Sequence, residues 1–169
     1  MKITLNVKLA VIFGIIGCIA WFVFAKAFGY YSLSIYLYKF LVALFLLISG
    51  IFISIYLERK ANGGLIDFRN ALKSGVLFSI IFSGIQAGFN YIYYKFIAVD
   101  ALDYFISQER KAGLELGRTL EEVNKNINEY IIPSYGSWHT FMTTFIWGLL
   151  LSLLASAVLR KKPPFSSEN

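Results

Sequence analysis

Charged residues are missing altogether from four long stretches of this chain: Leu9 to Ala25, Phe40 to Leu57, Ser74 to Tyr94 and Thr140 to Leu159. Reactive side chains are scarce as well, with one cysteine, one histidine, three prolines and ten Asp or Glu in 169 residues. A single cysteine, Cys18, excludes an intrachain disulfide and leaves the redox compartment unread. The lone His139 cannot assemble a metal centre without sulfur or carboxylate ligands, and Cys18 lies at a different depth in the chain. Paired carboxylates, a nucleophile with its base and a phosphate-cradling loop are all missing, so the sequence offers no catalytic, cofactor-binding or metal-binding set. No Asp or Glu falls inside the four uncharged stretches, which removes the usual carrier of proton-coupled transport.

What fills the chain instead is apolar. Hydrophobic residues make up 57 % of it and the mean hydropathy is +0.63, which excludes one water-soluble domain of this length. A helix rises about 1.5 Å per residue against a hydrocarbon layer of about 30 Å, so each uncharged stretch is long enough to cross a bilayer. The expectation is an all-α, four-transmembrane-helix bundle forming a single integral membrane domain over residues 1–162, with spans at about 9–28, 39–57, 74–97 and 139–159. Residues 163–169 read as a disordered tail. Lys2 and Lys8 ahead of the first run, with Ala25-Lys26-Ala27 or Ile15-Ile16-Gly17-Cys18 as cleavage patterns, have the outline of a signal peptide. The apolar run continues past Cys18 and Lys26 sits within the other pattern, so an uncleaved anchor is expected.

The net charge of +6 does not point to nucleic acid, because the basic residues flank the spans and form no stripe on a folded domain. They orient the bundle instead. With both termini inside, nine basic residues (Lys2, Lys8, Arg59, Lys60, Arg69, Lys73, Arg160, Lys161 and Lys162) face the cytoplasm, and Arg59-Lys60 and Arg160-Lys161-Lys162 abut span ends directly. Arg59, Lys60, Arg69, Lys73, Arg160, Lys161 and Lys162 are expected to contact anionic lipid headgroups. Lys26, Lys39 and Lys95 lie at the other span ends, where long side chains snorkel to the interface. All tyrosines but Tyr56 fall on that outer side, and Tyr30, Tyr31, Tyr36, Tyr38, Tyr91, Tyr93, Tyr94, Tyr130 and Tyr135 with Trp138 read as an interfacial belt.

Between the spans, Asn62-Gly63-Gly64 marks a turn, and Leu65, Phe68 and Leu72 share a helical face that predicts an amphipathic helix leading into span three. Residues 98–137 exceed an ordinary loop. Asp100 to Leu114 predicts one helix, Gly117 a break, and Thr119 with Glu122 the capping-box spacing that opens a second helix with Leu120, Val123, Ile127 and Tyr130 on its apolar stripe. Pro133 and Gly136 are expected to end it, giving an outer amphipathic hairpin. The two halves of the chain share no motif, so an inverted-repeat transporter finds no support.

Small residues recur every fourth position: Ala10, Gly14 and Cys18; Ala71, Gly75, Ser79, Ser83 and Ala87; Thr140, Thr144, Gly148, Ser152 and Ser156. Helices in lipid associate through such close-packing rows, and Gly84 with Gly88 is a further pair of this kind. Gln86 and Asn90 are the deepest polar side chains. One face carries both, with Tyr94 a turn further, either as interhelical hydrogen-bond partners of span four or as the lining of a polar cavity.

At Gly64-x-x-x-Phe68-x-x-Ala71-x-Lys73-x-Gly75 and Tyr91-Ile92-Tyr93-Tyr94-Lys95-Phe96-Ile97 the chain resembles a family of small bacterial membrane proteins designated domain of unknown function 4199. Gln108-Glu109-Arg110-Lys111, Leu120-Glu121-Glu122-Val123 and Leu159-Arg160-Lys161-Lys162 are similar to it too. The resemblance implies a four-helix protein of the bacterial inner membrane and supplies no activity or site residue. The functional expectation is a non-enzymatic accessory or scaffolding protein acting through helix faces or the outer loop, with lipids and another membrane protein or a second copy as partners and no cofactor. The alternative is a small transporter or channel with a polar face around Gln86 and Asn90. An intramembrane enzyme built on His139 would need a carboxylate from the outer loop.

Overall fold

A computed structural model describes residues 3–28 and 33–161 of the protein. Six α-helices make up the described chain: α1 (Ile3–Phe28), α2 (Leu33–Ala61), α3 (Phe68–Ile92), α4 (Val99–Glu115), α5 (Leu120–Tyr130) and α6 (Pro133–Leu159). A π-helical turn, Tyr93–Ile97, extends α3. Four helices are long and apolar enough to cross a membrane, over Leu5–Ala27, Leu37–Ala61, Phe68–Ile97 and Pro133–Leu159. Only 22 to 39 % of the most apolar window of each is buried inside the protein, so Ile19, Phe45, Leu154, Val158 and many other exposed apolar residues need a second apolar medium. The protein is a multi-pass membrane protein.

Helix α3 is the hub and packs on α1, α2 and α6. Its tightest seam is with α6. A methyl group placed on Gly75 would meet Ser152 Oγ at 2.6 Å, and one on Gly148 would meet Ser79 Cβ at 2.6 Å, so each glycine accepts the other helix's serine. The serine hydroxyls are satisfied locally, Ser79 donating to the Gly75 carbonyl at 2.8 Å and Ser152 to the Gly148 carbonyl at 2.6 Å. Such back-bonding costs little in a helix and leaves no free donor in hydrocarbon. Against α2, Gly50 leaves room for the ring of Phe78, which stacks on Phe82 with centroids 5.9 Å apart. Leu47, Ile51, Ile55, Phe78 and Phe82 fill the middle of the bundle and are 0 to 2 % exposed.

At one end a polar staple ties three helices together: Asn6 Nδ2 donates to Ser74 Oγ at 2.7 Å, and the hydroxyls of Ser54 and Ser74 lie 3.1 Å apart. Glu58, one turn beyond Ser54, is buried at 4 % exposure, because α2 runs on to Ala61, past the expected boundary at 57. A carboxylate therefore does sit within a spanning helix. The helix expected over residues 65–73 begins only at Phe68, as the first turns of α3, and a folded turn precedes it. Gly63 and Gly64 take φ of +68° and +85°, Arg59 Nε donates to the Gly64 carbonyl at 2.9 Å, and Ile66 is buried while it exchanges backbone hydrogen bonds with Lys161. Asp67 stands at the N-cap position of α3 in extended backbone, without a side-chain capping bond, and the buried side chains here are Ile66 and Ala71, while Phe68 is exposed. The Ile66–Lys161 bridge and the Asn6–Ser74 bond set the start of α1, the α2–α3 turn and the end of α6 at the same end of the bundle.

At the opposite end α4 and α5 fold back on each other, with Gly113 against Val123. Gly117, at φ +77°, makes the turn. The capping box at α5 is complete: Glu122 N–H donates to Thr119 Oγ1 and Thr119 N–H donates to Glu122 Oε2 at 2.8 Å. Of the expected apolar stripe on α5, Val123 and Ile127 are buried while Leu120 and Tyr130 are exposed. Pro133 starts α6 and ends nothing. At the first helical position proline's missing N–H is no loss and its fixed φ suits the turn, so α6 begins six residues before the expected start. The predicted tail, 163–169, lies outside the described residues.

Two expectations follow. Gly75→Leu should lower stability in detergent by about 1–3 kcal/mol through overpacking of the α3–α6 seam, whereas Gly84→Leu, with open space before it, should stay within about 0.5 kcal/mol; thermal unfolding of the two variants makes the comparison. The Thr119 amide and hydroxyl hold the Glu122 carboxyl below its ordinary value of 4.5. The folded chain thus binds this proton more weakly than the unfolded one, so the cap contributes fully above pH 4.5 and is lost as pH falls through the depressed value. Amide exchange at residues 120–123 should accelerate there, beyond the intrinsic pH trend, and Thr119→Ala should remove the transition.

Candidate functional site

Above the dry middle of the bundle α2, α3 and α6 are bridged by longer side chains, and a cavity of about 540 Å³ opens between them. Lys39, Phe40 and Ala43 line it from α2; Gln86, Asn90 and Tyr94 from α3 and its π turn; and Gly136, His139, Thr140, Thr143 and Thr144 from α6. Leu102 and Phe105 of α4 and the connecting segment from Tyr130 to Pro133 form its roof. The π turn matters for this arrangement. Ala98 N–H donates to the Tyr93 carbonyl, five residues back, at 2.8 Å, and the wider turn lets adjacent tyrosines part company. Tyr93 is fully buried against Trp21, with ring centroids 5.8 Å apart, while Tyr94 lines the cavity. Tyr93 is therefore no member of the interfacial belt. Tyr38, Tyr130, Tyr135 and Trp138 are exposed at this end; Tyr30 and Tyr31 fall outside the described residues, and the side chain of Tyr36 does as well.

The polar groups are held by specific partners. Gln86 Nε2 donates to the Gly14 carbonyl of α1 at 2.9 Å and lies 3.8 Å from Cys18 Sγ, an approach open because Gly17 has no side chain. Asn90 Nδ2 donates to Thr140 Oγ1 at 2.9 Å, and Thr140 passes its own proton to the Gly136 carbonyl at 2.9 Å. That order fixes the amide: Thr140 oxygen can only accept, so the Asn90 nitrogen faces it. Asn90 Oδ1 is left buried with no hydrogen-bond partner among the described residues. Gln86 and Asn90 thus act as interhelical ties and as cavity lining at once.

Lys39 is half-buried and lies over an aromatic ring. Its Nζ stands 4.4 Å from the centre of the Trp21 ring, a cation–π contact in a partly desolvated setting. The side chain lies between the cavity and a small void beside Trp21, and Gln86 borders both. Neither Asp nor Glu lines the cavity, and among the described residues the ion pair found joins Arg118 to Glu109 at 3.8 Å, on the hairpin. Lys39 is therefore the one formal charge among the lining residues. Sequence reasoning took Lys39 for a membrane anchor. A lysine at the start of a span carries no mark that distinguishes an anchor from a side chain with a ring beneath it.

The other expected site residues divide. Thr144 joins the cavity; Gly148 and Ser152 lie below it in the dry seam with α3. Gly84 and Gly88 are exposed with open space before them, so they pack no helix of this chain. Each sits two residues before Gln86 or Asn90, about 200° around the helix, and one face cannot hold both pairs. Lys60, Arg69, Lys73, Arg160 and Lys161 are exposed at the end that carries the Asn6–Ser74 staple, Arg59 is partly engaged by Gly64, and Lys162 lies outside the described residues. Groups of three or more His, Cys, Asp or Glu able to hold a metal do not occur among the described residues.

Comparison with known proteins returned one family. The family model for DUF4199, described as protein of unknown function, matches residues 8–161. Neither a curated protein nor a solved structure matches the chain. Since the match takes in all four spans, the cavity and the α4–α5 hairpin, the chain belongs to the DUF4199 family.

Proposed function

We propose that this protein is a non-enzymatic membrane protein that holds a small molecule in the cavity beneath the α4–α5 hairpin. The observation that carries this reading is the cavity itself: about 540 Å³, with apolar and aromatic walls and a few convergent polar groups. Small-molecule sites have that size and composition, roughly 300–1,000 Å³ with sparse polar groups that orient the ligand. An open channel is disfavoured, because Leu47, Phe78 and Phe82 fill the interior below Gln86. An enzyme on His139 lacks the carboxylate partner it would need. The reading includes a bacterial inner membrane with both termini cytoplasmic, supported by the basic residues clustered at the end of the bundle that carries the start of α1 and the end of α6. Those side chains would contact anionic headgroups.

Accessory or scaffolding action is a second reading with its own support. On the hairpin, Leu114, Leu116 and Leu120 are 47 to 73 % exposed, an apolar surface for a membrane partner. Recovery of neither a partner nor a homo-oligomer after crosslinking in native membranes would count against it.

The cavity reading is tested with single cysteines in a Cys18→Ala background. Asn90→Cys should react with a membrane-impermeant thiol reagent added from the hairpin side, and Phe82→Cys should not. Equal protection of both positions would mean that the cavity is closed and would remove the proposal. Reporter fusions at the two chain ends should both register as cytoplasmic; opposite compartments would overturn the four-span layout.

A further inference from the structure

We infer that the cavity takes a single-chain anionic amphiphile, with a head that combines an acidic oxygen and a hydroxyl donor; this deepens the cavity reading and rests on it. Charge is the first argument. Lys39 brings an ammonium to the cavity edge with an aromatic ring on one side and no carboxylate among the lining residues. A cation so placed is incompletely compensated, since ring contact replaces only part of its lost hydration. An anionic head would complete it by a charge-assisted hydrogen bond.

Hydrogen-bond complementarity is the second. Asn90 is 5 % exposed and its Oδ1 has no partner among the described residues. An acceptor left so in a low-dielectric site costs free energy until a donor arrives. A carboxylate or phosphate oxygen cannot donate, so the ligand that satisfies both residues needs a hydroxyl beside its acid group, as a glycerol phosphate head has.

Shape is the third. Phe40, Ala43, Thr143 and Thr144 also border a cleft of about 40 Å³ between α2 and α6, which leads on to Leu44 and Trp147. Trp147 is exposed on the membrane-facing side. The cavity thus borders one narrow cleft toward hydrocarbon, and a single chain following the groove between α2 and α6 is the occupant this shape favours. A head held at Lys39 and Asn90 with one chain along the α2–α6 cleft uses the whole lining.

The test uses the full-length protein, delipidated in a neutral maltoside detergent, with binding read by native mass spectrometry. Lysophosphatidylglycerol and a monoacylglycerol of equal chain length are the paired probes. Lysophosphatidylglycerol should bind about tenfold or more tighter, the ratio expected for one hydrogen-bonded charge contact. Lys39→Gln should bring the ratio close to one, Lys39→Arg should preserve it, and Asn90→Leu should weaken both probes. Inorganic phosphate alone should not compete. Equal affinity of the two probes in a cavity that still labels at Asn90→Cys would overturn the ligand class and leave the cavity reading standing. Full competition by inorganic phosphate would overturn the chain requirement, and failure of both probes together with an unlabelled Asn90→Cys would overturn both readings. If Lys39→Gln unfolds, the arginine variant and the probe ratio on the unmodified protein still decide the outcome.

Discussion

Close approach of the α3 and α6 backbones, made by reciprocal glycine and serine contacts, is the constraint on which the rest of the structure depends. In lipid two helices gain little by hiding apolar surface from one another, since the medium is itself apolar. Association must come from dispersion between atoms brought to contact distance, and dispersion decays within fractions of an ångström. Gly75 facing Ser152 and Gly148 facing Ser79 supply that distance. The Ser79 and Ser152 hydroxyls bond within their own helices, while those of Ser83 and Ser156 are buried without a partner among the described residues.

The same seam determines where space can exist. Along α3 the residues facing α6 enlarge from Gly75 and Ser79 to Asn90, and contact passes from backbone and small side chains to an Asn90–Thr140 hydrogen bond. Helices held close at one end and bridged by side chains at the other enclose volume at the bridged end. Aromatic rings and the α4–α5 hairpin cover that volume. Polar residues are affordable there because each is tied to a neighbouring helix, Gln86 to α1 and Asn90 to α6. The ties use one amide N–H of each residue and leave Asn90 Oδ1 buried without a partner among the described residues.

Most of the architecture was legible in the sequence, because length without charge is a strong signal when hydrocarbon is the solvent. The close-packing row of α3 at Gly75, Ser79 and Ser83 was legible for the same reason: small residues at every fourth position have few other uses in lipid. What was illegible turned on partners distant in sequence. Gly84 and Gly88 satisfy the same spacing rule as Gly75 and Ser79 yet face outward, since spacing fixes a face and says nothing about which face meets a neighbour. Ile66 pairs with Lys161 across ninety-five positions, and no local pattern predicts that a bridge will take the place of a helix's first residues. Pro133 misled because proline stops one helix or starts another with equal ease. The cavity was half visible: Gln86 and Asn90 announced a polar face, but the basic edge came from Lys39, whose position matched a snorkelling anchor in every local respect.

Lys39 shows how a half-buried charge in a membrane protein bears on function. Its side chain is long enough to reach the interface, where its charge would be hydrated at small conformational cost. It lies over Trp21, which itself packs on Tyr93 in a buried cluster with Ala25, Ala98 and Ala101. Stability alone favours the hydrated alternative, since a cation–π contact is worth about 0.5–2 kcal/mol and desolvation of an ammonium costs several. A half-buried ammonium held over a ring is an arrangement that a bound anion would complete, and the α1–Trp21 platform is then part of the site although no atom of it need touch the ligand.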